Sequence, residues 1–338
     1  MLLALLMEAL GKLTLNHRYV TIFLFKEEHM DFRECEYMVE IAKENNITKA
    51  ARNLFISQSA LNQQLLKLEK ELGTQLFVRS RTDWHPTEAG EAYLQGARKA
   101  LLIKQDTYKK IYNITHSGKS ELRIGLTTNR GIRMFTQIYP KLHEKYGELR
   151  ISPQEMSVSN LQKELNAGNI DLGFVTLRKD QRTSDDYLTV GSEEMCVLVP
   201  KTHPLCDRYS FSGPELPVID LRDLQYEPFV VLSHASTNRQ ITDDIFRNAG
   251  FEPTILMETN STASLPTLVE ASLCCAIVPR YYADEKNPKI GCFVLPNHPT
   301  WDLCITYRKG AYLTDAAKDF IAMVKDYWAE HLAPVQNN

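Results

Sequence analysis

The segment SQSALNQQLLKLEKELG, residues 57–73, constrains the fold of this chain more than any other stretch. Its leucines stand at positions 61, 65, 68 and 72, and spacings of four, three and four place them along one stripe of an α-helix. The opposite side of the first two turns carries uncharged side chains that suit specific hydrogen bonding. These residues, here called the polar front, are Gln58, Ser59, Asn62 and Gln63. The pattern predicts an amphipathic helix with an exposed face built for recognition.

Two shorter helices are predicted before this one. In DFRECEYMVEIAKENN, residues 31–46, apolar residues recur at i, i+3, i+4 and i+7, and the two asparagines end the helix. Thr48 is the predicted N-cap of a second, short helix, in which Ala50–Ala51 permits close packing. Ser57 is predicted to cap the third helix and Gly73 to end it. Two short helices joined by a tight turn, the second with a polar front, form a helix-turn-helix.

A small hairpin, or wing, is predicted to follow. QLFVRSRTDWHPT, residues 75–87, alternates in polarity and turns at Ser80–Asp83, with Arg79 and Arg81 at the tip. Between positions 47 and 82 the chain holds six basic residues against two acidic ones. This local positive charge suits a polyanionic partner, although the whole chain carries a net charge of −3.

These features together predict binding to double-stranded DNA. A helix-turn-helix places the first turns of its second helix against base edges in the major groove, where Gln, Asn and Ser match the donor and acceptor patterns. The polar front is therefore predicted to read bases. Basic side chains are predicted to contact phosphates, which position the protein without reading sequence, and those of the wing could also reach the minor groove. The predicted basic contacts are Lys49, Arg52, Lys67, Arg79 and Arg81.

A long helix is predicted after the wing. Thr87 can cap it, and acidic residues stand in its first turn, where the helix dipole favours them. At about 1.5 Å per residue, such a helix can project from a small domain and pair with a second copy. The polar stretch THSGKS, residues 115–120, is the predicted linker to the remainder of the chain.

From residue 121 onward the pattern changes to alternating strands and helices. The predicted strands include 121–126, 169–176, 194–200, 229–233, 254–259 and 274–279. This alternation predicts an α/β domain with a mostly parallel sheet covered on both faces. The seven cysteines form no CxxC pair and fit reduced thiols in a cytoplasmic protein.

The first 29 residues have an apolar run but no basic region before it, and YVTIFLF is too short to cross a bilayer. Met30 stands directly before a well-patterned helix. We therefore interpret the segment 1–29 as the result of a start codon placed too far upstream. The alternative is that the segment forms a short accessory helix.

The N-terminal motifs resemble those of the LysR-type transcriptional regulators. The shared elements are Ala50–Ala51, Leu54, Ser57–Gln58, Ala60, Leu68–Glu69, Leu72–Gly73, Leu76–Phe77–Val78–Arg79 and Thr87–Glu88–Ala89–Gly90. The resemblance implies a winged helix-turn-helix over 30–87 and a linker and dimerisation helix over 88–118. The position that usually carries a base-contacting serine in the family is Asn62 here, so the operator sequence of a relative does not transfer.

The rest of the chain, 119–338, resembles the family's effector-binding domain. LRIGL, AGNIDLGFVT, VLVPKTHPL, AGFEP, AIVP and YRKG carry that resemblance. It implies an α/β fold like that of periplasmic solute-binding proteins, with two subdomains hinged by two crossing strands. Subdomain I would comprise about 121–196 and 299–334, and subdomain II about 197–298, with an effector in the cleft between them.

Hydroxyl and amide side chains at predicted strand ends and helix starts mark where this effector would lie. Ligands of open α/β sheets bind beyond the carboxyl ends of strands, and helix N-termini there favour anions. The candidate residues are Thr127, Thr128, Asn129, Ser157, Ser159, Thr176, Ser233, Ser236 and, beside Ser236, Thr237. They suggest a small polar or anionic inducer. Arg130, Arg133 and Arg178 could pair with a carboxylate, but each is expected at the surface.

No catalytic motif argues for an enzyme, and the nine histidines show no metal-ligand spacing, so no catalytic residue, metal or cofactor is predicted. The sequence predicts a cytoplasmic transcriptional regulator that forms a homodimer or homotetramer. Its predicted partners are promoter DNA, a small-molecule effector and, if it is an activator, RNA polymerase, with no membrane. The alternative is a solute-binding or enzymatic α/β protein with an N-terminal helical assembly domain.

Overall fold

A computed structural model provides the structure of the protein. It describes residues 30–79, 84–115, 121–127, 129–211, 213 and 215–332. The predictions for 1–29, for the tip of the wing and for Thr128 lie outside these residues. The chain divides into two compact units between Gln105 and Asp106, inside one long helix.

The first unit contains a helix-turn-helix and a two-stranded hairpin. Its elements are α1 (Phe32–Glu44), α2 (Ile47–Asn53), α3 (Gln58–Leu72), β1 (Phe77–Arg79), β2 (Trp84–Pro86) and the first part of α4 (Glu88–Thr115). Leu61 and Leu65 of the predicted stripe are fully buried, whereas Leu72, in the last turn of α3, is 38% exposed. The apolar stripe therefore anchors α3 through its first three turns.

The helix ends follow mostly from local chemistry. Ser57 Oγ accepts a hydrogen bond from the Ala60 amide at 3.1 Å, and Gly73 ends α3 in the left-handed conformation, as predicted. Thr87 Oγ1 likewise accepts from the Gly90 amide at 3.0 Å, at the start of α4. The predicted cap of α2 was wrong. Its cap is Asn46, whose Oδ1 accepts from the amides of Thr48 and Lys49 at 2.9 and 3.0 Å.

The second unit is built on a mixed sheet flanked by helices. Its strands are β3 (Glu121–Leu126), β4 (Arg150–Glu155), β5 (Leu172–Leu177), β6 (Asp186–Pro200), β7 (Pro228–Leu232), β8 (Thr254–Thr259), β9 (Cys275–Pro279), β10 (Ile290–Val294) and β11 (Thr300–Tyr307). Its helices, after the end of α4, are α5 (Arg130–Lys145), α6 (Val158–Asn166), α7 (Thr237–Ala249), α8 (Leu265–Glu270) and α9 (Asp315–His331).

The strand order is β4-β3-β5-β11-β6-β9-β7-β8, with β10 also paired to β6. The parallel pairs are β3–β4, β3–β5, β7–β8 and β7–β9. All pairs that involve β6 or β11 are antiparallel. The expectation of a mostly parallel sheet is therefore corrected, because these two long strands run against their neighbours.

Strand β6 joins two separately packed parts. Its residues up to Glu194 pair with β11, and its residues from Met195 onward pair with β9 and β10. One apolar core surrounds Phe174 and Trp328, and two others lie around Phe229 and around Val278. The passage of β6 and β11 between these cores corresponds to the two crossing strands that the family resemblance implied.

Candidate functional site

The polar front lies at the surface of the first unit. Gln58, Ser59 and Gln63 are exposed and Asn62 is partly exposed, because the leucine stripe holds the other side of α3 in the core. Thr48 Oγ1 donates to Gln58 Oε1 at 3.0 Å. Since Asn46 caps α2, the Thr48 hydroxyl remains available for this bond. It links the starts of α2 and α3 and fixes the direction of the first residue of the polar front.

The candidate phosphate contacts differ in their surroundings. Lys49 and Arg52 are exposed on α2. Lys67 Nζ lies 3.6 Å from Glu34 and 3.8 Å from Glu71, and its side chain is mostly exposed. Surface pairs of this kind are weak, so Lys67 can exchange its carboxylate partners for a phosphate.

Arg79 is held by the protein itself. Its guanidinium forms an ion pair with Glu69, a nearly buried residue of α3, and lies 5.7 Å from the centre of the Trp84 ring. Glu69 Oε1 also accepts from the Leu76 amide at 2.9 Å. The pair therefore fastens the hairpin to α3. Arg81 lies outside the described residues.

A cavity of about 300 Å³ lies in the second unit, at the carboxyl ends of β3, β5 and β7. The sequence candidates that line it are Thr127, Ser157, Thr176, Ser233, Ser236 and Thr237. Asn129 and Ser159 are exposed and are not among its lining residues, and Thr128 lies outside the described residues. The starts of α5, α6 and α7 therefore meet around one space, as expected for an open α/β sheet.

Sequence reasoning did not single out several residues of the cavity wall. They are Met156, Val158, Leu232, Ala235, Asn238, Asn260, Thr262, Tyr282 and Trp301. Asn238 directly follows Ser236 and Thr237 in the same helix start, so the sequence signal that identified those two residues could have included it. Tyr282 lies after β9, and Trp301 lies at the start of β11. Both are distant in sequence from the other cavity residues, and no local pattern marks them.

Arg130 was expected at the surface, and the structure places it in the interior at 2% exposure. Its Nη1 and Nη2 donate to the two oxygens of Glu193 at 2.5 and 2.9 Å. Glu193 also accepts from Trp301 Nε1 at 2.8 Å and from the Tyr281 amide at 2.6 Å. Both carboxylate oxygens are therefore fully bonded, which is what a buried charge requires.

Aromatic rings enclose the Arg130 guanidinium. The Cζ atom lies 4.5 Å from the centre of Tyr281, 5.3 Å from Tyr282 and 5.6 Å from Trp328. These rings come from the segment after β9 and from α9, while Glu193 lies on the crossing strand β6. Arg130 thus contacts both packed parts of the second unit and the strand that joins them.

Polar contacts also span the two parts beside the cavity. Thr237 Oγ1 donates to the Thr176 carbonyl at 3.0 Å, and Arg178 Nη1 donates to Asp244 Oδ2 at 2.5 Å. Arg178 is half-buried, so its expected surface position is only partly correct, whereas Arg133 is exposed as expected. Burial would raise the pKa of Asp244, but hydrogen bonds from Arg178 and from Arg247 of α7 outweigh it and hold the pKa below its usual value.

The described part of the chain contains no cluster of three or more potential metal-binding side chains. None of its helices is both long and apolar enough to cross a membrane. All seven cysteines are buried with free thiols.

Comparison with known proteins matches the chain to two family models. Residues 32–91 match a model described as a bacterial regulatory helix-turn-helix protein of the lysR family. Residues 116–329 match the LysR substrate binding domain.

Similar proteins cover nearly the whole chain. The regulator AlsR of Bacillus subtilis is 29% identical over 300 residues, covering 88% of this chain and 91% of AlsR. The uncharacterised regulator YwbI of the same organism is 28% identical over 303 residues, covering 88% and 97%. The solved structure of a full-length OxyR variant from Pseudomonas aeruginosa has a TM-score of 0.62 at 21% identity, covers 92% of this chain and 100% of that one, and shows the shared fold.

Proposed function

Because this chain belongs to the LysR family of bacterial helix-turn-helix transcriptional regulators, we propose that its polar front reads base edges in the major groove. The family match makes the protein a sequence-specific DNA-binding regulator with an effector-binding domain, and not an enzyme. The observation that supports the polar front is its exposure on the first two turns of α3, with Gln58 oriented by Thr48. Such positions contact bases in helix-turn-helix proteins.

Basic residues around the polar front hold the DNA backbone. Lys49, Arg52 and Lys67 are assigned to phosphates, because they are exposed cations on the two helices of the motif. Arg81 is assigned to phosphate or to the minor groove beside the wing. Arg79 contributes by fixing the hairpin against α3 through Glu69, so that its own contact with DNA is secondary.

The cavity of the second unit binds the effector, a small polar or anionic molecule. The support is the convergence of three helix starts with hydroxyl and amide side chains. The effector acts by binding one arrangement of the two packed parts better than another, since a ligand shifts an equilibrium only by its difference in affinity. The contacts Thr237–Thr176 and Arg178–Asp244 are the bonds that such a shift would rearrange.

As a LysR-type regulator the protein forms oligomers, and we assign the pairing of two copies to α4. A dimer would present two polar fronts to an inverted repeat, and a tetramer would bridge two such sites. Contact with RNA polymerase would follow if the protein is an activator. The reduced cysteines and the DNA partner favour a cytoplasmic location.

The test is a binding assay on the DNA upstream of the protein's own gene, with an unrelated fragment as competitor. Asn62→Ala should weaken specific binding by about 1–3 kcal/mol and leave nonspecific binding nearly unchanged. Gln75→Ala is the matched control, because Gln75 is an exposed amide beyond the end of α3. Equal losses on both DNAs would contradict the base-reading role of Asn62.

The phosphate assignment has a different signature. Lys67→Ala should weaken binding to both DNAs, and it should reduce the slope of log affinity against log salt by about 0.9 if one phosphate contact is lost. An unchanged slope would show that Lys67 remains paired with Glu34 and Glu71 in the complex.

A further inference from the structure

The charge of the cavity wall is already balanced. Among the described residues that line the cavity, Arg130 is the only one with a charged side chain. Its guanidinium is fully engaged by Glu193, which also accepts bonds from Trp301 and Tyr281. The cavity therefore offers a ligand no spare cation.

Two neutral residues of the cavity wall carry a buried polar atom without a partner among the described residues. Asn238 lines the cavity at 3% exposure, and its Nδ2 has no hydrogen-bond partner within the described residues. Its Oδ1 is taken, because it accepts from Thr242 Oγ1 at 3.1 Å. The buried hydroxyl of Thr127 also lacks a partner in the described part of the chain. A buried donor left unpaired is costly, so these groups indicate a ligand with acceptor oxygens.

Three helix starts add positive potential at this place. Arg130 begins α5, Val158 begins α6 and Thr237 begins α7, and all three residues line the cavity. A helix N-terminus acts like roughly +0.5 of an elementary charge. Three of them supply roughly +1.5, which balances one carboxylate and falls short of two.

The remainder of the wall is mixed, with hydroxyl and amide side chains beside apolar ones. Met156, Leu232, Ala235 and Trp301 supply apolar surface around the donors. A volume of about 300 Å³ lies at the lower end of the range of small-molecule sites. The ligand should accordingly be small, with a hydrocarbon part that these residues cover.

We propose that the effector is a small monocarboxylate, whose charged end is held by Asn238, Thr127 and the starts of α5, α6 and α7, and whose apolar end meets the apolar part of the wall. Arg130 is a positioning residue here, because its charge is consumed by Glu193. A second carboxylate would be buried without a full counter-charge, so dicarboxylates and dianionic phosphate should bind more weakly. This inference rests on the proposed role of the cavity as the effector site.

Isothermal titration of the full-length protein with defined probes tests the proposal. The monoanions are acetate, butyrate and benzoate, and the comparison ligands are neutral butyramide, dianionic succinate and inorganic phosphate. At least one monoanion should bind saturably, with succinate and phosphate at least tenfold weaker, and butyramide at least tenfold weaker than butyrate. Tighter binding of succinate or phosphate, or no binding of any monoanion, would overturn the proposal.

A pair of matched variants locates the binding. Asn238→Asp replaces the free donor by a negative charge of the same shape and should weaken monoanion binding at least tenfold. Asn248→Asp makes the same change at the exposed, opposite end of α7 and should leave it unchanged. Equal binding to both variants would place the anion elsewhere.

Glu193→Gln tests the charge balance itself. It should release the positive charge of Arg130 and raise the affinity for succinate relative to the monoanion at least tenfold. An unchanged ratio in a folded variant would contradict the role of Glu193, and if the variant does not fold, the Asn238 pair decides. Specific DNA retention by the same preparations separates the two proposals, since it depends on the first unit and not on which anion binds.

Discussion

Each of the two units contains an arginine–glutamate pair, but the two pairs differ in their surroundings. In the first unit, Arg79 and Glu69 have side chains that are 31% and 7% exposed, and the pair fastens a hairpin to α3. In the second unit, Arg130 and Glu193 are 3% and 4% exposed and are enclosed by aromatic rings. The same chemistry therefore acts as a local brace in one unit and as a buried junction of several elements in the other.

The polar groups assigned to recognition show the same contrast. The polar front consists of four residues within six consecutive positions of one helix, of which three are exposed and Asn62 is partly exposed. The cavity collects side chains from the ends of β3, β5 and β7 and from several helix starts, and part of them are buried. An exposed polar face of one helix can be encoded locally, whereas an enclosed cavity needs tertiary structure to assemble it.

The largest effect is expected from breaking the buried pair. Glu193→Ala leaves Arg130 buried without its carboxylate, which should lower the free energy of unfolding by about 3–5 kcal/mol. Urea unfolding followed by tryptophan fluorescence in a Trp84→Phe background measures it, because the remaining tryptophans, Trp301 and Trp328, both lie beside the pair.

The double variant Arg130→Met/Glu193→Met is the control for this prediction. Replacing both members of a buried ion pair by apolar residues is often neutral for stability. The double variant should therefore be more stable than Glu193→Ala. A double variant as unstable as the single one would show that the charge itself is not the source of the loss.

A smaller effect is expected from the pair in the first unit. Glu69→Ala removes the acceptor of the Leu76 amide and the partner of Arg79, which should cost about 1–3 kcal/mol. Hydrogen exchange of peptides from α3 and the hairpin measures the loss. Glu71→Ala, on the exposed side of the same helix, should change it by less than about 0.5 kcal/mol. Similar losses in both variants would remove the distinction between them.

The corrected cap of α2 gives the next smaller effect. Asn46→Ala removes the acceptor of two amides and should cost about 1 kcal/mol of local stability. Thr48→Ala should cost less than half of that, because its hydroxyl bonds only to Gln58. Hydrogen exchange at the start of α2 ranks the two variants, and the reverse order would restore Thr48 as the cap.

The second unit also contains a carboxylate, Asp171, whose contribution to stability is lost in acid. Burial alone would raise the pKa of Asp171, but hydrogen bonds from Arg123 and the nearby Lys109 outweigh it and hold the pKa below its usual value. The stability that this carboxylate provides is present above its unfolded pKa of about 3.9 and is lost as pH falls through the lower folded value. Thermal unfolding of wild type and Asp171→Asn should differ at pH 7 and converge in acid. A difference independent of pH would contradict the assignment.

The sequence alone determined much of the first unit. Leucine spacing, the caps Ser57, Gly73 and Thr87, and the polar front are all local patterns, and the structure has the corresponding elements. The cap of α2 was mispredicted because Asn46 and Thr48, two positions apart, are both residue types that cap helices. The fold class and the family also followed from sequence, since the motifs lie in order along the chain.

The sequence did not predict strand β4 or the direction of the crossing strands, and only the tertiary structure shows them. β4 is a polar edge strand with Pro153 in its middle, a position that edges tolerate, so its sequence lacks a strand pattern. β6 and β11 look like ordinary buried strands, and nothing local shows that each continues from one packed part into the other.

Only the tertiary structure decided the position of Arg130. In sequence it is a charged residue at a helix start, and such residues are usually exposed. Its burial depends on Glu193, 63 positions later, and on rings from the segment after β9 and from α9. Local patterns fix helices, caps and an exposed recognition face because their causes lie within a few residues. The charge balance of a cavity depends on groups that meet only when the chain has folded.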